Sequence, residues 1–357
     1  MTYIPLSRSY LHNPWPIAAF NVMSKPSGAG CNLACEYCFY KHNQGRHEGT
    51  EALRHEGNEV SDELLDYFIG EYIASQDNPT VFFTWQGGEP TLVGLDFYRR
   101  VIELQKKHAR AGITIANSIQ TNGVLLDESW CQFLAEHRWP VGISIDGPAD
   151  IHDAYRHTRS GSGSGQSHLA TRSALDSGAA PAAAAAAAAF PPKAIAHGSG
   201  SFAQVRKAID LLHKYHIRFD TLTTVTPLNV HRVEELYEFI FRELRPAVAQ
   251  FQPCAERKDH ATVAPGHWPA DTILPANDPR LTPGTPNSIM TDWSISAQQW
   301  GQFLCKLFDL WWERDRNATI INHFHSWASQ FAGGSALMCI CSPICGRSVS
   351  MDQTQKR

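Results

Sequence analysis

Strand-length apolar runs alternate with helical patterns along most of this chain, and that alternation restricts what it can fold into. Ile17 to Met23 reads as a buried strand. Ser61 then caps a helix whose apolar residues Leu64, Leu65, Phe68, Ile69, Tyr72 and Ile73 recur at helical spacing. Thr80 to Trp85, Ile113 to Ile119 and Val141 to Ile145 read as further strands, separated by helices around Phe97 to Ile102 and Trp130 to Leu134. After residue 200 come a helix carrying Phe202, Val205, Ile209 and Leu212, a strand from Phe219 to Val225, a helix over Val233 to Ile240 and a strand from Ala247 to Phe251. A long helix from about Ser296, a short strand near Ile320 and a helix around Trp327 follow. Repeated β-α units imply a parallel sheet with right-handed crossovers. About six such units are too few for a closed eightfold barrel. The expected fold class is therefore α/β, an open, partial (β/α)6 TIM-like barrel.

Active sites of parallel α/β folds gather at the C-terminal ends of the strands. Four unusual loops fall there: a cysteine loop after the first strand, then QGGEP, QTNG and DGP. Cys31, Cys35 and Cys38 have the spacing C-x3-C-x2-C. Thiolates are the soft ligands that suit iron–sulfur clusters, and three of them on one loop fill three corners of a four-iron cluster and leave the fourth open. Two plainer readings stand beside this one, a zinc site and three core cysteines. Structural zinc normally takes four ligands in C-x2-C pairs, and His42 is the nearest histidine. Of the nine cysteines, three more (Cys339, Cys341, Cys345) cluster near the C-terminus, while Cys131, Cys254 and Cys305 stand alone. GGEP and QTNG read equally well as tight turns.

CNLACEYCFYK, TWQGGEPTL, SIQTNGVLL and SIDGPADIHDAYR together resemble the radical S-adenosylmethionine (SAM) superfamily, and within it the anaerobic sulfatase-maturating enzymes. The resemblance covers most of residues 12–160 and 200–347. It implies the radical SAM type of partial barrel, with a 4Fe-4S cluster on Cys31, Cys35 and Cys38 whose open iron is chelated by SAM. Cleavage of the sulfonium then yields a 5′-deoxyadenosyl radical. Gly87, Gly88 and Glu89 match the motif that receives the SAM amino group, and Tyr37 flanks the last thiolate. Ser144 and Asp146 match positions near the SAM ribose, Gln120 to Asn122 the next polar loop. Arg156 is either a contact to SAM or substrate or an exposed helix arginine. The implied substrate is an unfolded sulfatase polypeptide, whose Cys or Ser is oxidised to formylglycine, with flavodoxin or ferredoxin as electron donor. Two other readings are a different peptide-modifying radical SAM maturase and a non-catalytic metal-binding fragment.

The chain departs from this pattern in two places. Residues 160–200 are a Gly/Ser/Ala-rich segment, including an alanine run from Ala182 to Ala189, that buries little apolar area and reads as a disordered insertion. The expected division is 1–159 and 201–255 for the two halves of the barrel and 256–357 for a linker, helices and the start of a cysteine-rich domain. In that last stretch Cys339 and Cys345 match ligands of an auxiliary cluster, with Cys341 an unassigned thiol. The family's further cysteines and its general-base aspartate have no counterpart, so the chain reads as truncated and its catalytic base is unassigned. A net charge of −4 gives no bulk attraction for nucleic acid. No apolar run approaches the roughly 20 residues that span a bilayer, and a cytoplasmic location is expected.

Overall fold

The computed structural model describes residues 20–38, 40, 60–159, 199–258, 274–275, 277–343 and 348–352. One parallel sheet organises them. Its strands are β1 (Asn21–Lys25), β2 (Thr80–Trp85), β3 (Thr114–Thr121), β4 (Val141–Ser144), β5 (Phe219–Val225), β6 (Val248–Pro253), β7 (Ile320–Ile321) and β8 (Ser348–Asp352). They lie in the order β7-β6-β5-β4-β3-β2-β1-β8, every neighbouring pair parallel. The sheet does not close, because β7 and β8 form its two edges.

Helices cross over between successive strands: α1 (Asp62–Ser75), α2 (Gly94–His108), α3 (Glu128–Glu136), α4 (Ala149–Tyr155), α5 (Phe202–Lys214) and α6 (Val233–Glu238), which runs on as a π-helix over Phe239–Leu244. Beyond β6 come α7 (Ala297–Arg314) and α8 (Asn322–Phe331). Two helix starts are visible in the chemistry of single serines. Ser61 accepts from the Leu64 N–H, and Ser296 closes a capping box with Gln299.

The core lies between the sheet and its helices. Val81, Phe83 and Trp85 alternate along β2 and are buried, with Trp85 meeting Phe97 and Tyr98 of α2 edge-on. The inner face differs: Asp220, Leu222 and Thr224 of β5 and Gln250 of β6 lie between the buried positions of their strands and are only partly covered. The expected partial barrel is present, and eight strands replace about six. β7 is the short strand that the sequence places near Ile320, whereas β8 (SVSMD) alternates weakly and carries no apolar run of a central strand. β8 falls in the stretch assigned from sequence to the start of a cysteine-rich unit, and its register places it on the outer edge of β1. The first strand begins at Asn21, and residues 17–19 of the expected one lie outside the described residues, as do 160–198 and Cys345.

Candidate active site

The loop after β1 turns tightly, with Gly28 at φ 55° and the Gly28 and Gly30 N–H groups donating to Lys25 and Ser27 carbonyls. It is stitched to the loop after β2. Ser27 Oγ donates to the Gly87 carbonyl, and the Glu89 N–H to the Gly30 carbonyl at 2.6 Å. Gly87 and Gly88 sit at φ 87° and 48°, where a side chain is strained. A Cβ on Gly88 would stand 2.1 Å from the Gly30 oxygen, so only glycine permits this approach.

Cys31, Cys35 and Cys38 follow, with Cys35 buried and the others half-buried. The segment holding them pairs antiparallel with the chain beyond α4: Ala34 N–H donates to His157, Glu36 N–H to Tyr155, and Leu33 bridges Thr158. The Cys31 sulfur accepts from the Leu33 N–H at 3.4 Å and from Asn122 Nδ2 at 3.7 Å. Burial, then the charges of Glu89 and Cys35, push the Cys31 thiol up to about 12.

Glu89 is fully buried and ties the loops after β2 and β3 together. Its Oε1 accepts from the Thr91 N–H and hydroxyl and from the Thr121 hydroxyl, and its Oε2 from the Asn122 N–H at 2.7 Å. Burial raises its carboxyl above the usual range despite these bonds.

Asp146, at the end of β4, is a second hub with 1% exposure. It accepts from Arg156 Nε at 2.9 Å, from the Thr224 N–H of β5 at 3.0 Å, and from the Tyr37 hydroxyl. Burial opposes ionisation of Asp146, but the Arg156 guanidinium beside it holds its carboxyl below the usual range. Arg156 also lies 5.6 Å from the centre of the Tyr37 ring. The reading of Arg156 as an exposed helix arginine is overturned, since it is 7% exposed and paired. His152, which the sequence did not single out, accepts from the Asp146 N–H through Nδ1. Ser201 Oγ spends its proton on the Arg156 carbonyl, so His152 Nε2, 2.9 Å from that oxygen, carries the ring hydrogen. Burial, with Arg156, lowers His152 to about 3 and keeps it neutral.

Gln120 Nε2 donates to Ser144 Oγ at 3.1 Å on the inner face. Cys254, closing β6, is buried, and burial followed by Glu256 and Asp146 raises it to about 12. Cys339 is exposed and Cys341 half-buried in a short turn after α8, while the expected partner Cys345 lies outside the described residues. The missed residues are His152, Thr91, Tyr155 and Ser27; the first three lie inside the TWQGGEPTL and SIDGPADIHDAYR segments without being singled out there, and Ser27 lies outside any motif.

Residues 26–164 match the model of the radical SAM superfamily. That segment is a radical SAM domain. A serine-type anaerobic sulfatase-maturating enzyme of Bacteroides thetaiotaomicron is 36% identical over 335 residues, 93% of this chain and 66% of that protein. A cysteine-type one from Clostridium perfringens is 29% identical over 91% of this chain and 70% of its own length. The solved structure of native anSMEcpe with bound AdoMet and Cp18Cys peptide superposes with a TM-score of 0.63 at 27% identity, covering 90% of this chain and 68% of that one. The chain thus spans just under two thirds of its first curated relatives.

The cysteine loop fits the cluster this superfamily implies. Backbone and amide N–H groups already point at the Cys31 sulfur, as they do at ligating thiolates. Burial keeps that thiol protonated until a cation offsets the charge. Among the described residues no three His, Cys, Asp or Glu side chains converge on one metal ion. No described helix is long and apolar enough to cross a membrane.

Proposed function

We propose that the chain holds a 4Fe-4S cluster on Cys31, Cys35 and Cys38, binds SAM against it, and oxidises a Cys or Ser of a sulfatase polypeptide to formylglycine. The observation that carries this is the interlock of four loops, with Glu89 and Asp146 each binding two of them to the cysteine loop's surroundings. When bound, cluster and SAM supply one-electron cleavage chemistry that removes a hydrogen atom from an unactivated carbon.

The chain's own residues bind and position. Gly87 and Gly88 keep the approach to the cluster loop open, and the carbonyls around them are acceptors for the SAM ammonium. Glu89 adds negative charge there and fixes Thr121 and Asn122. Asn122 in turn donates to the Cys31 sulfur. Tyr37, held by Asp146, sets the wall of the SAM pocket between Cys35 and Cys38, and Ser144 lies where the ribose is expected. Cys339 and Cys345 are proposed as ligands of an auxiliary cluster, and flavodoxin or ferredoxin as the electron donor.

The test is anaerobic reconstitution, followed by iron content, 5′-deoxyadenosine release under reductant, and capture of an aldehyde on sulfatase-derived Ser and Cys peptides. Iron without deoxyadenosine overturns the enzyme reading. Deoxyadenosine without aldehyde, on either peptide, favours a different peptide-modifying maturase.

A further inference from the structure

The cysteine loop is sewn to the chain on both sides of the Gly/Ser/Ala-rich segment. Before it, residues 157–158 pair with Ala34 and Leu33, and the Arg159 N–H donates to the Asn32 carbonyl at 3.3 Å. After it, the Ser199 carbonyl accepts from the Thr158 N–H and the Thr158 hydroxyl, each at 2.9 Å, and Gly200 bridges His157 antiparallel. Three short stretches therefore form one ribbon, with 155–159 between the cysteine loop on one edge and 199–200 on the other. Gly200 is confined to glycine by its surroundings. A Cβ there would stand 2.0 Å from the Asp153 carboxyl carbon, and that carboxylate accepts from the Phe202 N–H at the start of α5.

Ser201 turns inward from this ribbon and completes a closed circuit of hydrogen bonds. The Asp146 N–H donates to His152 Nδ1 at 3.4 Å, and His152 Nε2–H to Ser201 Oγ at 2.9 Å. The Ser201 hydroxyl donates to the Arg156 carbonyl at 3.0 Å, and Arg156 Nε returns to Asp146. All four residues are buried, so a member lost from the circuit leaves its neighbour's polar group with no water to replace it. Asp146 in turn holds the hydroxyl of Tyr37, which lies between Cys35 and Cys38. A hydroxyl at 201 is needed because it must accept from an imidazole and donate to a carbonyl at once.

We propose that Ser201 and His152 are positioning residues for the cysteine loop, which reaches its working geometry only with the segment that enters α5 seated against it. They act along two routes that meet at Ser201. One runs through His152, Asp146 and Tyr37 to the middle of the cysteine loop; the other runs through Gly200 and the ribbon to Leu33 and Ala34. Outer groups of this kind fix the orientation of ligating side chains. The clasp is independent of what the loop binds, and only its iron readout rests on the cluster reading above.

The test is hydrogen exchange followed by mass spectrometry on the full chain without iron. It reads the 31–38 peptide, where the Ala34 and Glu36 amides donate to His157 and Tyr155. Ser201→Ala should speed exchange in this peptide about tenfold, the loss of one buried hydrogen bond that leaves its partner unpaired. Amides of β3 and β5 should keep their protection, which shows that the variant is folded. Ser201→Thr keeps the hydroxyl and should restore most of the lost protection, and Ser199→Ala, on the same stretch but outside the circuit, should change nothing. If Ser201→Ala also exposes β5, His152→Asn breaks the circuit at Nε2 while keeping an acceptor for the Asp146 N–H, and should loosen the 31–38 peptide alone. Unchanged exchange in the variant that stays folded overturns the clasp, as does equal loosening by Ser199→Ala or by Ser201→Thr. After anaerobic reconstitution, iron release to a chelator should quicken in the same order as exchange; release that ignores this order overturns the link to the cysteines. A wild-type chain that takes up no iron overturns the cluster reading and leaves the exchange result to decide the clasp.

Discussion

Replacing Gly88 with alanine tests the close approach on which the site depends. The residue sits at φ 48°, a left-handed conformation that costs an L-residue roughly 1–2 kcal/mol. Its Cβ would stand 2.1 Å from the Gly30 oxygen and 2.9 Å from that of Gly28, both backbone atoms that no rotamer change can move. Relief requires the loops after β1 and β2 to separate, which breaks the Glu89-to-Gly30 bond, worth about 1 kcal/mol. Overpacking adds about 1–3 kcal/mol. The expected destabilisation of the metal-free chain is about 3–6 kcal/mol, read by urea unfolding, together with a clear loss of iron bound per chain after reconstitution.

Gly87 supplies the internal control. A Cβ there meets the Lys25 side chain, 2.4 Å from Cγ and 2.8 Å from Cδ. Lys25→Ala deletes both atoms. It should therefore recover part of the stability lost in Gly87→Ala and none of that lost in Gly88→Ala. The left-handed φ remains in each case, so recovery at Gly87 is incomplete. A Gly88→Ala chain within about 1 kcal/mol of wild type, with full iron content, would refute the backbone-contact argument. So would equal rescue of both variants by Lys25→Ala.

Other expectations follow from single contacts. Asp315, 7% exposed, accepts two hydrogen bonds from Arg242 and one from Tyr237; burial opposes its ionisation, yet Arg242 holds its carboxyl below the usual value of 3.8. Because the folded value is the lower one, its stabilisation is present above about pH 4 and is lost as pH falls through the folded value. Asp315→Asn should thus cost about 1–3 kcal/mol at neutral pH, with the gap to wild type narrowing in acid; parallel stability curves down to the acid limit would contradict this. Arg138 and His216 follow α3 and α5 at φ 56° and 54°, and the next N–H of each reaches back to Leu134 and Leu212 in the same helix-ending turn. Arg138→Gly and His216→Gly should each raise stability by about 0.5–1 kcal/mol, and a loss in both by thermal unfolding would show that their side chains contribute more than the turn.

The sheet was legible because its central strands are continuous apolar runs, and helix starts such as Ser61 and Ser296 carry their own capping chemistry. One edge was legible as a short apolar strand near Ile320. The other was not, because Ser348–Asp352 becomes a strand only where β1 offers it a parallel edge. At the candidate site, spacing singled out Cys31, Cys35 and Cys38, and the glycine pair marked the turn after β2. Arg156 was ambiguous because IHDAYR gives no hint that Asp146, ten residues earlier, lies buried beside it. His152 looks like any helical histidine until Ser201, beyond the Gly/Ser/Ala-rich segment in sequence, closes over it.

The two buried carboxylates explain why this site calls for a cation. Asp146 has its counter-charge in Arg156, and its remaining bonds come from Tyr37 and Thr224. It is complete as it stands, an ionised partner of Arg156, so its part is to position Tyr37 rather than to bind a further cation. Glu89 accepts four hydrogen bonds, all from neutral groups, and no cation pairs with it among the described residues. Neutral donors stabilise a buried carboxylate only in part, and burial still raises its carboxyl. An ammonium arriving at Gly87 and Gly88 would supply the missing charge beside Glu89. Under this argument Asp146→Asn should loosen the cysteine loop through Tyr37 and Arg156, lowering iron retention, whereas Glu89→Gln should spare most of the iron and weaken SAM binding. Isothermal titration with SAM on the reconstituted chain separates the two. Equal loss of SAM affinity in both variants would mean that Glu89, like Asp146, only holds the loops.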